Sequence, residues 1–175
     1  MRFQGTCYRA HDPRWAFSPL SGDGARTHGG RFNPKGVPAL YLALTIDGMI
    51  VEMTHGLAHR LDPLTICSYQ VDVDDVVDLR DDGGRKAKSV ALAALACAWA
   101  DDVASGRYPA SWRVADRLIA QGSAGALVPS FAVGAKPDMT NLVLWRWGPA
   151  LPHRVEVYDP SGRLPKDQTS WPADS

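Results

Sequence analysis

Three polar side chains near the start of the chain have the types and spacing that chemistry in a single cleft would need. Arg31, Tyr41 and Glu52 follow one another at intervals of ten and eleven residues. A guanidinium offers forked donors to anionic groups, and a fixed carboxylate stabilises positive charge that develops during a reaction. A strand followed by a helix can bring all three together. An ordinary interpretation stays open, in which Tyr41 is a core residue with a satisfied hydroxyl, Glu52 is solvated and Arg31 forms a surface ion pair.

Glu52 also begins a second pattern, because His55 and His59 follow it at helical spacing. Residues three and four apart share one face of a helix, so the three side chains could bind a metal and support a metal-dependent nuclease. A solvated helix face explains the spacing better, because no second cluster of ligands occurs elsewhere in the sequence. We therefore expect no metal.

Glycine and serine motifs of other enzyme classes fail on their context. Gly22 and Gly24 resemble the opening of a dinucleotide fingerprint, but Thr27 stands where glycine is required and no predicted strand precedes them. Ser123 lacks the glycine two residues earlier that a nucleophile elbow requires, and no P-loop is present. The sequence therefore supports neither Rossmann-type binding nor acyl transfer.

The composition is typical of one globular domain without a strong electrostatic field. The chain has 175 residues, of which 45% are apolar, and 19 Lys and Arg balance 19 Asp and Glu. A net charge of zero disfavours nonspecific nucleic-acid binding, and the apolar runs are too short to span a bilayer. There is no signal-peptide pattern, and three widely spaced cysteines form no disulfide framework. We expect a cytoplasmic protein that binds neither nucleic acid nor membrane.

Hydrophobic periodicity predicts the elements that must position the polar side chains. Tyr41 falls in a buried strand at residues 39–44, and Glu52 lies at the edge of a helix at residues 46–59. The predicted core face of that helix is Ile46, Met49, Ile50, Met53 and Leu57. Residues 7–36, rich in glycine and arginine, are interpreted as an ordered loop or a binding segment.

The rest of the chain alternates between strands and helices. A half-buried strand at residues 64–79 is expected to end in a turn at residues 82–84, and Ser89 to cap an Ala-rich helix at residues 89–103, with Leu92, Leu95 and Trp99 packed inward. The remaining predictions are a helix at residues 111–120 and strands at residues 126–128, 141–147 and 154–158. From Pro160 the polar composition indicates a surface-draped or disordered tail.

Four runs near the start of the chain form a longer pattern. They are Tyr8-Arg9, Ser21-Gly22-Asp23-Gly24-Ala25-Arg26, Gly29-Gly30-Arg31-Phe32-Asn33-Pro34-Lys35-Gly36 and Ala39-Leu40-Tyr41-Leu42-Ala43. Together they resemble the opening of the RES-domain toxins, and the resemblance extends from Cys7 to about Asp159. The arginine, glutamate and serine that name the family fall on Arg31, Glu52 and Ser130, and the run from Asn141 to Leu144 resembles its closing strand. Phe32 stands where members often carry tryptophan, so an aromatic side chain is kept.

The resemblance implies a single compact α+β domain similar to ADP-ribosyltransferases, with small mixed or antiparallel sheets around an NAD⁺ cleft and flanking helices. This domain would cover residues 1–159, and residues 160–175 would form a proline-bearing tail. The resemblance also implies NAD⁺ as substrate and a helix-turn-helix, Xre-like antitoxin as partner. We expect a toxin that transfers ADP-ribose to a protein acceptor such as a metabolic enzyme. The alternatives are an NAD⁺ glycohydrolase or phosphorylase and, more distantly, a noncatalytic nucleotide-binding module.

Each site residue receives an expected role from the same resemblance. Glu52 would stabilise positive charge on the ribose as nicotinamide leaves, and Tyr41 would stack on the nicotinamide. Arg31 would bind the pyrophosphate or ribose with help from Arg9, and Ser130 would orient a ribose or the carboxamide. The catalytic residues are thus predicted to be Glu52, Arg31 and Tyr41, and the NAD⁺-binding residues to be Arg9, Arg31, Tyr41, Ser130 and Asn141.

Overall fold

Strands and short helices alternate along residues 1–54 and 62–170, the part of the chain that the computed structural model describes. The strands are β1 (Phe3–His11), β2 (Leu40–Ala43), β3 (Thr65–Val73), β4 (Val76–Asp78), β5 (Gly125–Pro129), β6 (Thr140–Leu144) and β7 (His153–Val157). The helices are α1 (Asp23–His28), α2 (Ile46–Thr54), α3 (Asp82–Ala87), α4 (Leu92–Leu95), α5 (Trp99–Ala104) and α6 (Ala110–Ala120), with a 3-10 turn at Pro13–Trp15.

The described strands form one sheet with the order β4-β5-β6-β2-β1-β3-β7, in which only β4 and β5 run parallel. Strand β1 pairs with β3 along its whole length, from Phe3 opposite Val73 to His11 opposite Thr65. Its pairing with β2 is limited to Tyr8 opposite Ala43. The two halves of the sheet therefore meet at a narrow seam between β1 and β2, and the predicted small sheets are joined into one.

Side chains that alternate along the strands build a separate core on each face of the sheet. In β6, Leu142 and Leu144 pack in the cluster that also holds Tyr69, whereas Val143 packs in the cluster beneath α4 and α6. This alternation follows from the two-residue period of a strand. The predicted buried positions of β3, which are Cys67, Tyr69, Val71 and Val73, are confirmed as core residues.

Helix α2 begins where the periodicity predicts, but its predicted core face is wrong at three positions. Met49 is buried against Ala10 and Ala43, whereas Ile46, Ile50 and Met53 are exposed. The other buried residues of the described helix are Gly48 and Thr54, so a glycine and a threonine take buried positions that the apolar pattern does not mark. The predicted extension to residue 59, including Leu57, lies outside the described residues.

The interpretation of residues 7–36 as a loop is corrected by β1, which reaches His11, and by α1. Strand β1 lies between two other strands, and it hydrogen-bonds to β3 although several of its residues, such as Gln4 and Thr6, are polar or exposed. Its apolar alternation is therefore too weak to be read from the sequence.

Three predicted boundaries between residues 64 and 103 are also corrected. The long strand breaks at Asp75, whose positive φ of 62° turns the chain toward the far edge of the sheet, where β4 pairs with β5. The predicted turn at residues 82–84 is the start of α3, because the Asp81 carboxylate accepts a hydrogen bond from the Gly84 N–H and caps the helix. The predicted helix cap at Ser89 is wrong, because Ser89 has a φ of 51° and Ala91 stands at the N-cap position of α4. The predicted Ala-rich helix is split into α4 and α5. Leu95 is buried as predicted, whereas Leu92 is exposed.

The other predicted helix and strands occur within one to three residues of their expected limits. Residues 160–170 contain no helix or strand, and Leu164 packs against the core cluster that contains Tyr69. The division into a domain and a tail stays a prediction. Within the described ranges, no helix has the length and apolar character needed to cross a membrane.

Candidate active site

A cavity of about 560 Å³ opens where β1, β2, β6 and α2 approach the loop that follows α1. Its walls include five of the residues predicted from the sequence, which are Arg9, Arg31, Tyr41, Glu52 and Asn141. The sixth, Ser130, hydrogen-bonds to the Glu52 carboxylate. The structure thus brings all six predicted residues together at the seam between the two halves of the sheet.

The Glu52 carboxylate is fixed by two neutral donors. Ser130 Oγ and Asn141 Nδ2 both donate to Glu52 Oε1, at 2.6 and 2.5 Å. Antiparallel pairing of β5 with β6 places Ser130, directly after β5, close to Asn141. Ser130 therefore holds the Glu52 carboxylate, and its role in orienting the substrate stays a prediction. Both of these bonds end on Oε1, and among the described residues no hydrogen bond ends on Oε2.

The two arginines of the cavity are oriented by backbone carbonyls. Arg31 Nη1 donates to the carbonyls of Leu95 and Cys97 at 3.3 and 2.7 Å, and its guanidinium lies 5.1 Å from the centre of the Phe131 ring. Arg9 Nη1 donates to the carbonyl of Ser21 at 3.1 Å. Burial lowers the pKa of both guanidinium groups from their ordinary value. Neither forms a salt bridge with a carboxylate in the described part of the chain, so their charge is available to an anionic ligand.

Two of the contacts of Arg31 lie at the break between α4 and α5. At this break the Leu95 and Cys97 carbonyls turn toward the guanidinium, and the chain leaves helical geometry. Trp99, at the start of α5, lies in the cavity wall. The surface ion pair that the ordinary interpretation assigns to Arg31 is not formed within the described residues.

Tyr41 presents its ring to the cavity, while its hydroxyl is engaged elsewhere. The hydroxyl donates to Asn33 Oδ1 at 2.7 Å and accepts a hydrogen bond from the Phe32 N–H at 3.0 Å. Burial raises the pKa of this phenol well above its ordinary value. The hydroxyl is therefore satisfied, as the ordinary interpretation supposes, yet the ring still lines the site.

The sequence model of the RES domain family matches residues 6–167. The chain belongs to the RES-domain family. No curated protein sequence gives a significant match. The fold is similar to one in the crystal structure of the M. tuberculosis MbcT–MbcA toxin–antitoxin complex, with a TM-score of 0.57 and 24% sequence identity over 91% of this chain and 84% of that chain. The predicted single α+β domain is confirmed, and its likeness to ADP-ribosyltransferases stays a prediction.

Sequence reasoning missed three residues of this RES-domain site. Asn33 belongs to the run from Gly29 to Gly36, but nothing in that run indicates a role for its side chain in the site. The only sequence feature of Phe131 that points to the site is its position next to Ser130. Trp99 was expected to pack inward, and it lines the cavity together with Phe131. Their roles depend on contacts between distant parts of the chain, which local periodicity does not register.

The metal hypothesis finds no support among the residues that the structure describes. Within residues 1–54 and 62–170, no group of three or more His, Cys, Asp or Glu side chains is placed to hold a metal ion. His55 and His59, which the hypothesis requires, lie outside those ranges.

Proposed function

We propose that this RES-domain chain is the toxin of a toxin–antitoxin pair and that it cleaves the nicotinamide–ribose bond of NAD⁺. One observation carries the proposal: a fixed carboxylate, Glu52, shares a cavity with two arginines, Arg9 and Arg31, neither of which forms a salt bridge with a carboxylate of the described residues. Such a site suits a substrate that carries a pyrophosphate and develops positive charge at its ribose.

The chemistry of NAD⁺ makes a single carboxylate sufficient. Nicotinamide leaves as a neutral molecule from a cationic pyridinium, so the leaving group needs no general acid, unlike the oxygen of an O-glycoside. The electron pair of the glycosidic bond passes to the pyridine nitrogen, and positive charge accumulates on the ribose. The other carboxylate oxygen of Glu52, Oε2, would stabilise that charge or hold a ribose hydroxyl.

The remaining side chains of the cavity would bind and orient the dinucleotide. Arg9 and Arg31 would bind the pyrophosphate, since both are charged and already oriented. Tyr41, Trp99 and Phe131 offer aromatic faces on which the nicotinamide or adenine ring can stack.

We further propose that ADP-ribose passes to a protein acceptor, with water or phosphate as the alternative. Transfer to protein requires a docking surface at the cavity mouth, where the lining residue Val133 is 73% exposed. Labelled NAD⁺ incubated with the free chain and a cell lysate should label one or a few protein bands. If all label appears as free ADP-ribose or its 1″-phosphate, the transferase proposal is wrong and NAD⁺ depletion replaces it.

A toxin that consumes NAD⁺ needs a partner that inhibits it in the cell that makes it. The structural neighbour was crystallised as a toxin–antitoxin complex, which supports an antitoxin partner for this chain. We propose that a helix-turn-helix antitoxin meets the chain in the cytoplasm and covers the cavity. The purified complex should release little nicotinamide until the antitoxin is removed, and a complex as active as the free chain would contradict occlusion.

The decisive experiment for the proposed activity is the release of nicotinamide from NAD⁺ by the free chain, followed by chromatography in the presence and absence of EDTA. We expect release that chelation leaves unchanged. Binding of NAD⁺ without release would identify a noncatalytic module. Degradation of RNA or DNA that EDTA abolishes would identify the metal-dependent nuclease.

A further inference from the structure

Asn33 is a fully buried polar residue that connects three separate segments of the site. None of its surface is exposed. Its Nδ2 donates to the carbonyls of Ala25 and Val37 at 2.8 and 2.9 Å, with a longer contact of 3.2 Å to the carbonyl of Pro34. Because carbonyl oxygens accept but cannot donate, these contacts fix which end of the amide is nitrogen. Oδ1 must then face Tyr41.

The amide orientation determines where the Tyr41 proton goes. Asn33 Oδ1 only accepts, so the Tyr41 hydroxyl must donate its single proton there. The Tyr41 hydroxyl oxygen in turn accepts a hydrogen bond from the N–H of Phe32, the residue after Arg31. This hydroxyl therefore donates its proton to Asn33 in the loop and has none to donate to a ligand.

Both backbone neighbours of Arg31 are held by these and related contacts. Gly30 and Asn33 exchange backbone hydrogen bonds, and the indole of Trp112 donates to the Gly30 carbonyl at 2.6 Å. The indole of Trp145 donates to the Phe32 carbonyl at 2.9 Å. The fit is close, because a Cβ added at Gly30 would lie 2.6 Å from Tyr41 Oη and 2.7 Å from Asn33 Oδ1.

We infer that Asn33 and the Tyr41 hydroxyl are a positioning pair, which sets the backbone around Arg31 and thereby the place of its guanidinium in the cavity. Removal of the hydroxyl leaves the Phe32 N–H and Asn33 Oδ1 without their partner, and such buried groups are costly. The loop then shifts to satisfy them, and the guanidinium moves with it. The consequence for NAD⁺ rests on the proposed function, whereas the placement of the loop does not.

Indole N–H signals in ¹H–¹⁵N spectra of the full-length chain test the placement without any substrate. Tyr41→Phe should shift the signals of Trp112 and Trp145, whose acceptors are loop carbonyls. It should leave Trp147 in place, because that indole donates to the Leu20 carbonyl instead. Unchanged Trp112 and Trp145 signals would overturn the inference. Movement of all three signals would also overturn it, because it would indicate a general structural role.

Two further variants secure this measurement. Tyr158→Phe, which removes the hydroxyl of a tyrosine that is 63% exposed, should move none of the three indole signals. If Tyr41→Phe does not fold, Gly30→Ala takes its place, since it keeps every hydrogen-bonding group and separates the pair by crowding. It should shift the Trp112 and Trp145 signals as well, and unchanged signals would again refute the pair.

A kinetic double-mutant cycle tests whether the pair acts through Arg31. Tyr41→Phe should raise the KM for NAD⁺ about tenfold in the parental chain and less than twofold when Arg31 is already alanine. Equal effects in both backgrounds would show that the hydroxyl does not act through Arg31. If the parental chain releases no nicotinamide, the proposed function fails, and the indole signals still decide the positioning role.

Discussion

Replacement of Glu52 by glutamine removes the negative charge of the cavity while keeping the contacts that hold the side chain. The glutamine Oε1 can accept from Ser130 and Asn141 as the carboxylate does. The reversed amide would place its own NH₂ against the NH₂ of Asn141, which cannot accept a hydrogen bond. The new NH₂ group therefore occupies the position of Oε2, so the variant tests the charge of Glu52 with little change in its position.

The expected loss follows from the interaction between the carboxylate and the developing charge on the ribose. At a contact of about 4 Å and an effective dielectric constant of about 20, two unit charges interact by roughly 4 kcal/mol. Part of this interaction survives as a dipole in glutamine, so a loss of about 3 kcal/mol is reasonable. At 1.36 kcal/mol per tenfold, kcat should fall by roughly 100-fold or more. NAD⁺ affinity should stay within a few-fold, since a carboxylate does not favour the binding of an anionic dinucleotide.

Nicotinamide release and NAD⁺ binding, measured on the same preparations, test this expectation. The matched control is Glu156→Gln, which changes the other of the chain's two glutamates, at an exposed position on β7, and should keep parental kinetics. A folded Glu52→Gln variant with the parental rate would refute the assigned role. A large loss of NAD⁺ affinity with unchanged kcat would make Glu52 a binding residue instead.

The remaining predictions concern the support of the carboxylate and the stability of the fold. Ser130→Ala, which removes one donor to Glu52 Oε1, should lower kcat about tenfold with KM nearly unchanged, and an unaltered kcat would show that Asn141 alone holds the carboxylate. Burial lowers the pKa of His11 from 6.5 to about 4, so between these pH values the unfolded chain binds more protons than the folded chain. The contribution of His11 to the free energy of unfolding should therefore drop by about 3 kcal/mol as pH falls from 6.5 to 4. Urea titrations at several pH values should show that His11→Gln lacks most of this pH dependence. Gly125→Ala should destabilise the fold by several kcal/mol, because the added Cβ would lie 2.5 Å from a carbonyl oxygen of β6, whereas Gly148→Ala meets nothing within 4 Å and should keep the parental melting temperature.

Local periodicity predicted the elements whose burial alternates strongly. Residues 67–73 of β3 have an apolar side chain at every second position, and each of these is buried as expected. The helix starting at Ile46 was also predicted, but of its predicted core face Met49 is buried, whereas Ile46, Ile50 and Met53 are exposed. That side depends on how closely the helix approaches Ala10 and Ala43, which is a property of the assembled sheet.

The sequence predicted which side chains come together in the site, but it did not predict their hydrogen-bond partners. Arg31, Tyr41 and Glu52 do share one cavity. The prediction of this cavity depended on the family resemblance, because the spacing of the three residues alone did not favour a shared site over ordinary structural roles. The contact of Tyr41 with Asn33 and that of Arg31 with Cys97 were not foreseen. Both depend on tertiary contacts of loop and helix-end groups, which leave no periodic signal in the sequence.

The charged groups of this cavity share a mode of support that bears on what they can do. Arg9 and Arg31 are held by backbone carbonyls, and Glu52 by a hydroxyl and an amide. Neutral dipoles fix the orientation of a charge without cancelling it, whereas a salt bridge would do both. The orientation is therefore set in advance, and the charge remains for a ligand or a transition state. Among the described residues neither arginine forms a salt bridge with Glu52, which agrees with the proposed substrate, whose pyrophosphate is anionic and whose ribose would become cationic.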